Sequence, residues 1–366
     1  MCTVRALAAL LLTVTALGCG GGDGSATGAA GSATVKVMTR NLYLGADLFP
    51  VVMAPTREEI PVRVAALWQT MKASNFPERA KLVAAEIAAA QPDLVGLQEA
   101  SLFRTQMPGD FSFDAPALNA TAVAYDFLAI LQTELAARGA EYVVVSTAEN
   151  ADVELPSRVE GGGSMDVRMT DRDAILARKG VVVGTPHLDR YMSHLPFRIP
   201  LGTADGVPVD LVRGLSRVEA TVDGAHLTFA TTHLEVAGGP QNLLGATQES
   251  QARDLVNLIH PVAGPLVLVG DLNSSADGKG TRSYGIVTAE LTDAQAQVGG
   301  PGTFTCCTGI DAPMFDATSR IDLVLVRGGV QATSLTVVGN DPGARTPGGQ
   351  WASDHAGVVG SLQIPR

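Results

Sequence analysis

Short runs of apolar residues alternate along this chain with stretches whose apolar positions recur every three to four residues. VKVMTRNLYL (Val35–Leu44) opens as a strand. From Arg57 to Ser74, and again from Pro77 to Gln91, apolar residues return at helical spacing, Leu82, Ile87 and the alanines between them among others. DLVGLQE is a short apolar strand, and Tyr125 to Arg138 is helical, with Gly139 as its stop. EYVVVST, DAILARKGVVV, VDLVRGLSRVEATVDG, AHLTFATTHLE, PLVLVGDLN, RIDLVLVRG and ATSLTVVG read as strands, several joined by glycine-bearing turns such as Asp223-Gly224. One more helix is expected from Thr247 to His260. So many strands with interspersed helices predict a mixed sheet system covered by helices, and the wholly apolar strands predict a sheet buried on both faces.

Polar residues interrupt this pattern mainly at strand ends. Asn41 closes the first strand, Glu99 closes DLVGLQE, His233 closes LTFATTH, and Asp271 and Asn273 end PLVLVGDLN. Asp322 lies in RIDLVLV, and Asp354-His355 open the last strand in WASDHAGVVG. Strand ends are where a rigid scaffold aims side chains into a shared cleft, although a single Asp or Asn there usually makes a turn. Two other motifs fail on inspection. GDLN does not begin a calcium loop, because the positions needing Gly and the final Glu hold Ala276 and Arg282. Gly278-Lys279 does not close a phosphate loop, because Asn273 and Gly280 stand where Gly and Ser or Thr are required.

Composition narrows the function class. The chain has 366 residues, 46% of them apolar, enough for a large core. Its formal net charge of −11 argues against a general electrostatic affinity for nucleic acid. The N-terminus has Arg5, an apolar run from Ala6 to Leu17 too short to span a bilayer, and then Cys19. That layout resembles a bacterial lipoprotein signal with Cys19 as the lipidated residue, although Ala16 stands where Leu is preferred. A signal over residues 1–19, a Gly/Ser-rich tether over 20–32 and one domain over 33–366 are expected. The protein is then exported, as a cell-envelope lipoprotein or in secreted form, and meets a membrane only through a lipid on Cys19. Cys306 and Cys307 are the only cysteines of the folded part; they make neither a disulfide framework nor a zinc site by themselves. A vicinal disulfide and a pair of buried thiols are both open readings.

The order Asn, Glu, His, Asp-x-Asn, Asp, Asp-His, each on its own apolar strand, is similar to that of the endonuclease/exonuclease/phosphatase superfamily. TRNLY, LVGLQEA, TTHLE, VGDLNS, RIDLVLV and SDHAGVV carry the resemblance, from about residue 35 to 360. Pancreatic-type deoxyribonuclease, abasic-site endonucleases, bacterial sphingomyelinases and inositol polyphosphate phosphatases belong to that group. The resemblance implies an α/β fold, a four-layer sandwich of two mixed β-sheets packed face to face with helices outside.

It also implies roles. Phosphate-ester hydrolysis needs an activated water, a cation on the charged oxygens and a proton for the leaving oxygen. Glu99 suits Mg²⁺, a hard ion that takes oxygen ligands; Mn²⁺ and Ca²⁺ are alternatives. By similarity Asn41 and Asp354 join Glu99 around the metal, His355 is the general base, and Asp322 orients its ring. Asp271 positions the water or a metal, Asn273 donates to the phosphate, and His233 stabilises the developing charge and protonates the leaving group. In TDRDAILARKG, Arg172 and Asp173 precede a strand where family members often carry a phosphate-side polar residue, with surface salt bridging as the favoured reading, and Arg213 reads as a strand-face charge. Thr231 stands where many relatives carry Asn, and a hydroxyl replaces only part of a carboxamide's hydrogen bonding.

The expected activity is an exported Mg²⁺-dependent phosphodiesterase, nuclease-like and monomeric, acting on a phosphate-ester substrate that includes nucleic acid. The same residues serve a sphingomyelinase-like or inositol-phosphate enzyme, although Trp68 and Trp351 are the only tryptophans to offer a membrane. A catalytically dead surface-binding module has no use for two histidines and a separate metal carboxylate. If the helical stretch from Arg57 to Ser74 flanks the cleft, it shapes substrate choice.

Overall fold

The computed structural model describes residues 31–238 and 243–366; the N-terminal signal, Cys19 and the tether as far as Ala30 lie outside the described residues. The compact unit runs from Gly31 to Arg366. Its first half holds β1 (Ser32–Asn41), α1 (Phe49–Val52), α2 (Ile60–Ala73), α3 (Phe76–Ala90), β2 (Leu94–Gln98), β3 (Leu102–Gln106), β4 (Ala122–Asp126), α4 (Phe127–Ala137), and the long hairpin β5 (Tyr142–Arg158) and β6 (Ser164–Arg178). Then come β7 (Val182–Val183), β8 (His187–Arg190), β9 (Leu195–Ile199), β10 (Val207–Leu211), β11 (Gly214–Val222), β12 (Ala225–His233) and α5 (Leu243–Ile259). The chain ends with β13 (Leu266–Asp271), α6 (Ser283–Thr288), β14 (Thr292–Asp293), α7 (Ala294–Val298), β15 (Asp322–Arg327), β16 (Gln331–Val338) and β17 (Gly357–Pro365).

Two large mixed sheets result, with β9 and β10 forming a separate two-stranded antiparallel sheet. The first has the order β16-β17-β1-β2-β6-β3-β4, with β5 also on β6; the second has the order β14-β15-β13-β12-β11-β7, with β8 on β11. Strand periodicity explains the layering. In β13, Val267 and Val269 face the core between the sheets, while Leu266 and Leu268 face the helix layer that includes α5. β15 repeats this with Val324 and Val326 inward and Leu323 and Leu325 outward. Both faces are buried, which is why these strands lack the alternation of a half-solvated sheet. On the far side, Val95 and Leu97 of β2 meet α3 residues such as Val83 and Ile87. The four-layer sandwich expected from the sequence is the observed fold.

Some elements differ from the sequence reading. The run Val209–Gly224 splits at Val212 and Arg213, where Val212 N–H donates to the Asn150 carbonyl at 2.8 Å and the Arg213 carbonyl accepts from Tyr191 N–H at 3.0 Å. The fourth helix begins at Phe127 rather than Tyr125, since Asp126 caps it by accepting from the N–H groups of Leu128 and Ala129. Asp354 and His355 lie in the turn before β17 instead of opening the strand. Helix α2 buries Ile60, Val64, Trp68 and Met71 in the outer core of the first sheet.

Candidate active site

The strand register assembles the site before any side chain is considered. His233 lies beside Asp271 where β12 runs parallel to β13, and Asp271 lies beside Asp322 where β13 runs antiparallel to β15. Three polar residues thus form one row across three adjacent strands. In the first sheet Asn41 pairs with Gln98, the last residue of β2, and Glu99 follows it. The two sheets meet closely here. A side chain at Gly96 would put Cβ 2.5 Å from both Thr231 Oγ1 and Val269 Cγ2, so glycine permits the approach. A polar relay spans the same seam: Thr39 Oγ1 donates to Gln98 Oε1 (3.1 Å), and Gln98 Nε2 donates to Thr231 Oγ1 (2.9 Å). Thr231, singled out as a departure from the family pattern, is therefore bonded between the sheets.

Asp271 is the hub. Its Oδ2 accepts from Asn41 Nδ2 at 3.2 Å and lies 3.6 Å from His233 Nε2 and 3.7 Å from His355 Nε2. Gly270 precedes it at φ 152°, and a Cβ there would sit 2.1 Å from the Thr232 carbonyl oxygen. Asn41 Nδ2 also donates to Glu99 Oε1 at 3.2 Å, and Glu99 Oε2 accepts from Leu44 N–H at 2.6 Å. Glu99 and Asn273 both hold left-handed backbone, φ 57° and 48°. Such strain in non-glycine residues concentrates where geometry is over-determined for function. Asn273 N–H donates to Asp271 Oδ1 at 2.8 Å, fixing the turn that aims its carboxamide at His233.

The histidines differ in their supports. His355 Nδ1 is 2.9 Å from Asp322 Oδ2, so a carboxylate orients the ring and leaves Nε2 facing Asp271. Burial lowers the His355 pKa, but the Asp322, Asp271 and Asp354 carboxylates outweigh it and hold the ring well above the ordinary histidine value. His233 is held well below that value by burial, then by Arg213 and His355. Arg213 Nη1 donates to His233 Nδ1 at 3.0 Å. That leaves Nε2 as the donor of a neutral ring, with Asp271 Oδ2 3.6 Å away as its nearest acceptor; the Asn273 amide nitrogen, 3.0 Å from Nε2, is itself a donor and also serves the Leu234 carbonyl.

The carboxylates crowd one another. Burial first, then Asp354 and Asp171, push Glu99 up to about 7. Burial and Asp322 push Asp271 up to about 7 against the pull of His355. Asp354 is raised by burial, and Asp322 Oδ1 is a buried acceptor without a hydrogen-bond partner. An excess of hard oxygen donors, mutually destabilised and incompletely satisfied, is the environment a divalent cation relieves. The oxygen donors of Asn41, Glu99 and Asp354 suit a hard divalent cation, and the trio Asp271, Asp322 and His355 places its ligand atoms within 4.8 Å of one another.

All eight residues singled out in the sequence lie at this edge of the sandwich. Seven are linked by the direct contacts above; Asp354 joins through its charge on Glu99 and Tyr43. Three others must be reassigned. Arg172 and Asp173 do not precede a strand but lie inside β6, and both are buried, as is Arg213. Arg172 donates to the Ala100 carbonyl and Asp126, bracing the loop after Glu99. Arg213 lies 3.4 Å from Asp171 and 3.7 Å from Glu235, with Asp173 4.0 Å from His233. Charged residues inside an otherwise apolar strand were the signal for them. Two further arginines were missed: Arg40, which carried the same signal inside β1, and Arg79, which gave none in helix α3. Arg40, fully buried, donates to Glu86 and to the His355 carbonyl. Arg79, fully buried, donates to the Leu42, Tyr43 and Ala352 carbonyls, tying the segments that follow Asn41 and precede Asp354.

Residues 66–355 match the model of the Endonuclease/Exonuclease/phosphatase family, a span holding every site residue except Asn41. No curated protein matches the chain. Among solved structures, a humanized D. rerio TDP2 is 16% identical, with 90% of this chain and 98% of that one covered and a TM-score of 0.52. A Bacteroides thetaiotaomicron mannosyl-6-phosphatase is also 16% identical, covering 90% and 99%, with a TM-score of 0.53. A Beutenbergia cavernae endonuclease/exonuclease/phosphatase protein is 23% identical, covering 91% and 72%, with a TM-score of 0.52. At these identities the likeness establishes the fold.

Proposed function

The chain belongs to the endonuclease/exonuclease/phosphatase family, whose members are metal-dependent phosphoric ester hydrolases, and from that premise we propose that it is an exported, monomeric, Mg²⁺-dependent phosphodiesterase of nuclease type. The observation that carries this reading is the single Asp271 oxygen shared by Asn41, His233 and His355. Two imidazoles with opposite electrostatic settings converge on one carboxylate, which suits one group that moves a proton and one that stays neutral.

His355 takes the proton of the attacking water on Nε2, while Asp322 holds Nδ1–H and stabilises the imidazolium that forms. Glu99, Asn41 and Asp354 would hold the divalent cation, whose positive charge would offset the carboxylates that raise His355. Bound there, a divalent cation supplies Lewis-acid polarisation of the phosphate oxygens. Asp271 orients the water between the two rings. Asn273 and His233 donate to the phosphate oxygens, where negative charge grows in the transition state. The neutral, Arg213-anchored ring supports a hydrogen-bond donor at this position rather than a strong acid.

Nicking of supercoiled plasmid by the purified protein tests the reading, with Mg²⁺, with a chelator and with His355→Ala. Nicking that needs both the metal and His355 supports it; none from a folded protein overturns the nuclease assignment. The net charge of −11 favours a second reading, a small phosphate monoester such as a sugar or inositol phosphate, whose recognition needs no extended basic surface. Release of inorganic phosphate from such esters, without nicking, would select it. Export rests on the N-terminal sequence: Cys19→Ala should abolish metabolic labelling with fatty acid.

A further inference from the structure

We propose that Cys306, Cys307 and His355 form a second, inhibitory site for a thiophilic divalent cation of the Zn²⁺ class, open only when the two cysteines are reduced. The inhibitory part rests on His355 being the base, as proposed above. In the structure the two sulfurs adjoin as a vicinal disulfide, Cys306 buried and Cys307 exposed. Cys307 Sγ lies 3.8 Å from His355 Nε2, and the three ligand atoms fall within 4.8 Å of one another.

The segment that carries the sulfurs is bound to both elements of the Asp322–His355 pair. Cys306 forms a two-way backbone bridge with Ser319, its N–H donating at 2.9 Å and its carbonyl accepting at 2.8 Å. Thr305 Oγ1 accepts from the N–H groups of Ile321 and Asp322, at 3.2 Å each. Ala356 N–H donates to the Thr305 carbonyl at 2.7 Å, and Thr308 N–H to the Asp354 carbonyl at 2.9 Å. The sulfurs are thereby kept beside the ring.

Donor chemistry separates this site from the oxygen site. Thiolate and imidazole select soft or borderline ions, whereas carboxylate and carboxamide oxygens select Mg²⁺. His355 already has the support expected of a ligand, a carboxylate on Nδ1 that leaves Nε2 free. Two thiolates and one imidazole leave a fourth tetrahedral position for water. Binding converts two thiols and the cation into a bis-thiolate complex with release of two protons. Opening the disulfide consumes two electrons from a dithiol or phosphine reductant, which is itself oxidised. With Nε2 bound to the cation, His355 takes no proton from water.

Cobalt provides the test, because a thiolate-to-cobalt charge-transfer band reports sulfur ligation independently of turnover. Full-length protein, reduced with a phosphine and held in excess Mg²⁺, is titrated with Co²⁺ alongside oxidised protein, Cys307→Ser and His355→Asn; circular dichroism checks that each is folded. Cys2 and Cys19 are replaced by Ser in every sample, wild type included, so that only Cys306 and Cys307 can supply sulfur. Reduced wild type should show the band, oxidised protein should not, and both variants should bind at least tenfold more weakly. No band in reduced wild type, or equal bands in His355→Asn, overturns the site. Zn²⁺ should then inhibit plasmid nicking by reduced wild type and spare Cys307→Ser. A band without inhibition would overturn the inhibitory role, and with it the assignment of His355 as base, while leaving the site standing.

Discussion

Glu99→Gln should stabilise the metal-free protein at pH 8 while abolishing turnover. Folding buries this carboxyl beside Asp354 and Asp171 and raises its pKa from 4.5 to about 7. At 1.36 kcal/mol for each factor of ten in the protonation equilibrium, ionised Glu99 costs the folded state about 3 kcal/mol. Glutamine removes the charge but has one acceptor oxygen, so it cannot serve both Leu44 N–H and Asn41 Nδ2. That loss returns about 1 kcal/mol. A net gain of about 2 kcal/mol corresponds to roughly 3–5 °C in Tm for a domain of this size. The sign with pH follows from linkage: a carboxyl whose folded pKa is raised binds its proton more tightly when folded, so its cost appears as pH rises through 4.5 towards 7 and is complete above that. The gain should therefore fade by pH 5. Saturating Mg²⁺ should reverse the order at pH 8, because it stabilises only the form that binds it. Thermal denaturation at pH 5 and 8, with Mg²⁺ and with chelator, measures all four conditions. A variant less stable than wild type at pH 8 without metal, or a gain undiminished at pH 5, would refute the electrostatic reasoning.

Other expectations follow from the same geometry. Mg²⁺ affinity should rise with pH through about 7, since Glu99 must lose its proton to act as a ligand and the nearby Asp271 carboxyl titrates in the same range, and calorimetry in buffers of different ionisation enthalpy should detect about one to two protons released. Gly270→Ala should cost more than about 3 kcal/mol, because its Cβ would collide with the Thr232 carbonyl and force Asp271 from the row; a two-state urea titration within 1 kcal/mol of wild type would contradict this. Arg213→Met should destabilise by about 3 kcal/mol, as the carboxylates of Asp171 and Glu235 lose their buried counter-charge. It should also shift the His233 ring resonances in NMR, which a purely structural role for Arg213 would leave in place.

Much of this was legible in order along the chain. The continuous apolar runs of β13 and β15 identified strands buried on both faces, because period-2 side chains with both neighbours dry leave no polar positions. The polar residues flanking these and the other apolar runs, taken in their joint order and with the family resemblance, marked eight candidate positions, and the structure brings them to one edge of the sandwich. Local chemistry also predicted the major helices, subject to caps such as Asp126 that a periodicity reading places a residue or two away.

Tertiary structure decided the rest. Whether a charge inside a strand faces solvent or the core depends on what lies across the sheet. Arg172 is buried against Ala100 and Asp126, while Asp173 and Arg213 are buried where β6 meets His233 and the segment between β10 and β11, so reading them as surface residues failed on partners that lie far off in sequence. Arg40 and Arg79 bond to backbone carbonyls as far as 315 residues away, and no spacing rule reaches that distance. The opposite settings of the two histidines likewise arise from a guanidinium behind one ring and a carboxylate behind the other, partners brought from separate strands. Sequence alone determined which residue types stand at the ends of which strands, because backbone periodicity and burial are local in period. Only the packing of the sheets decided which charges face one another, because electrostatic energies depend on distance and burial in space.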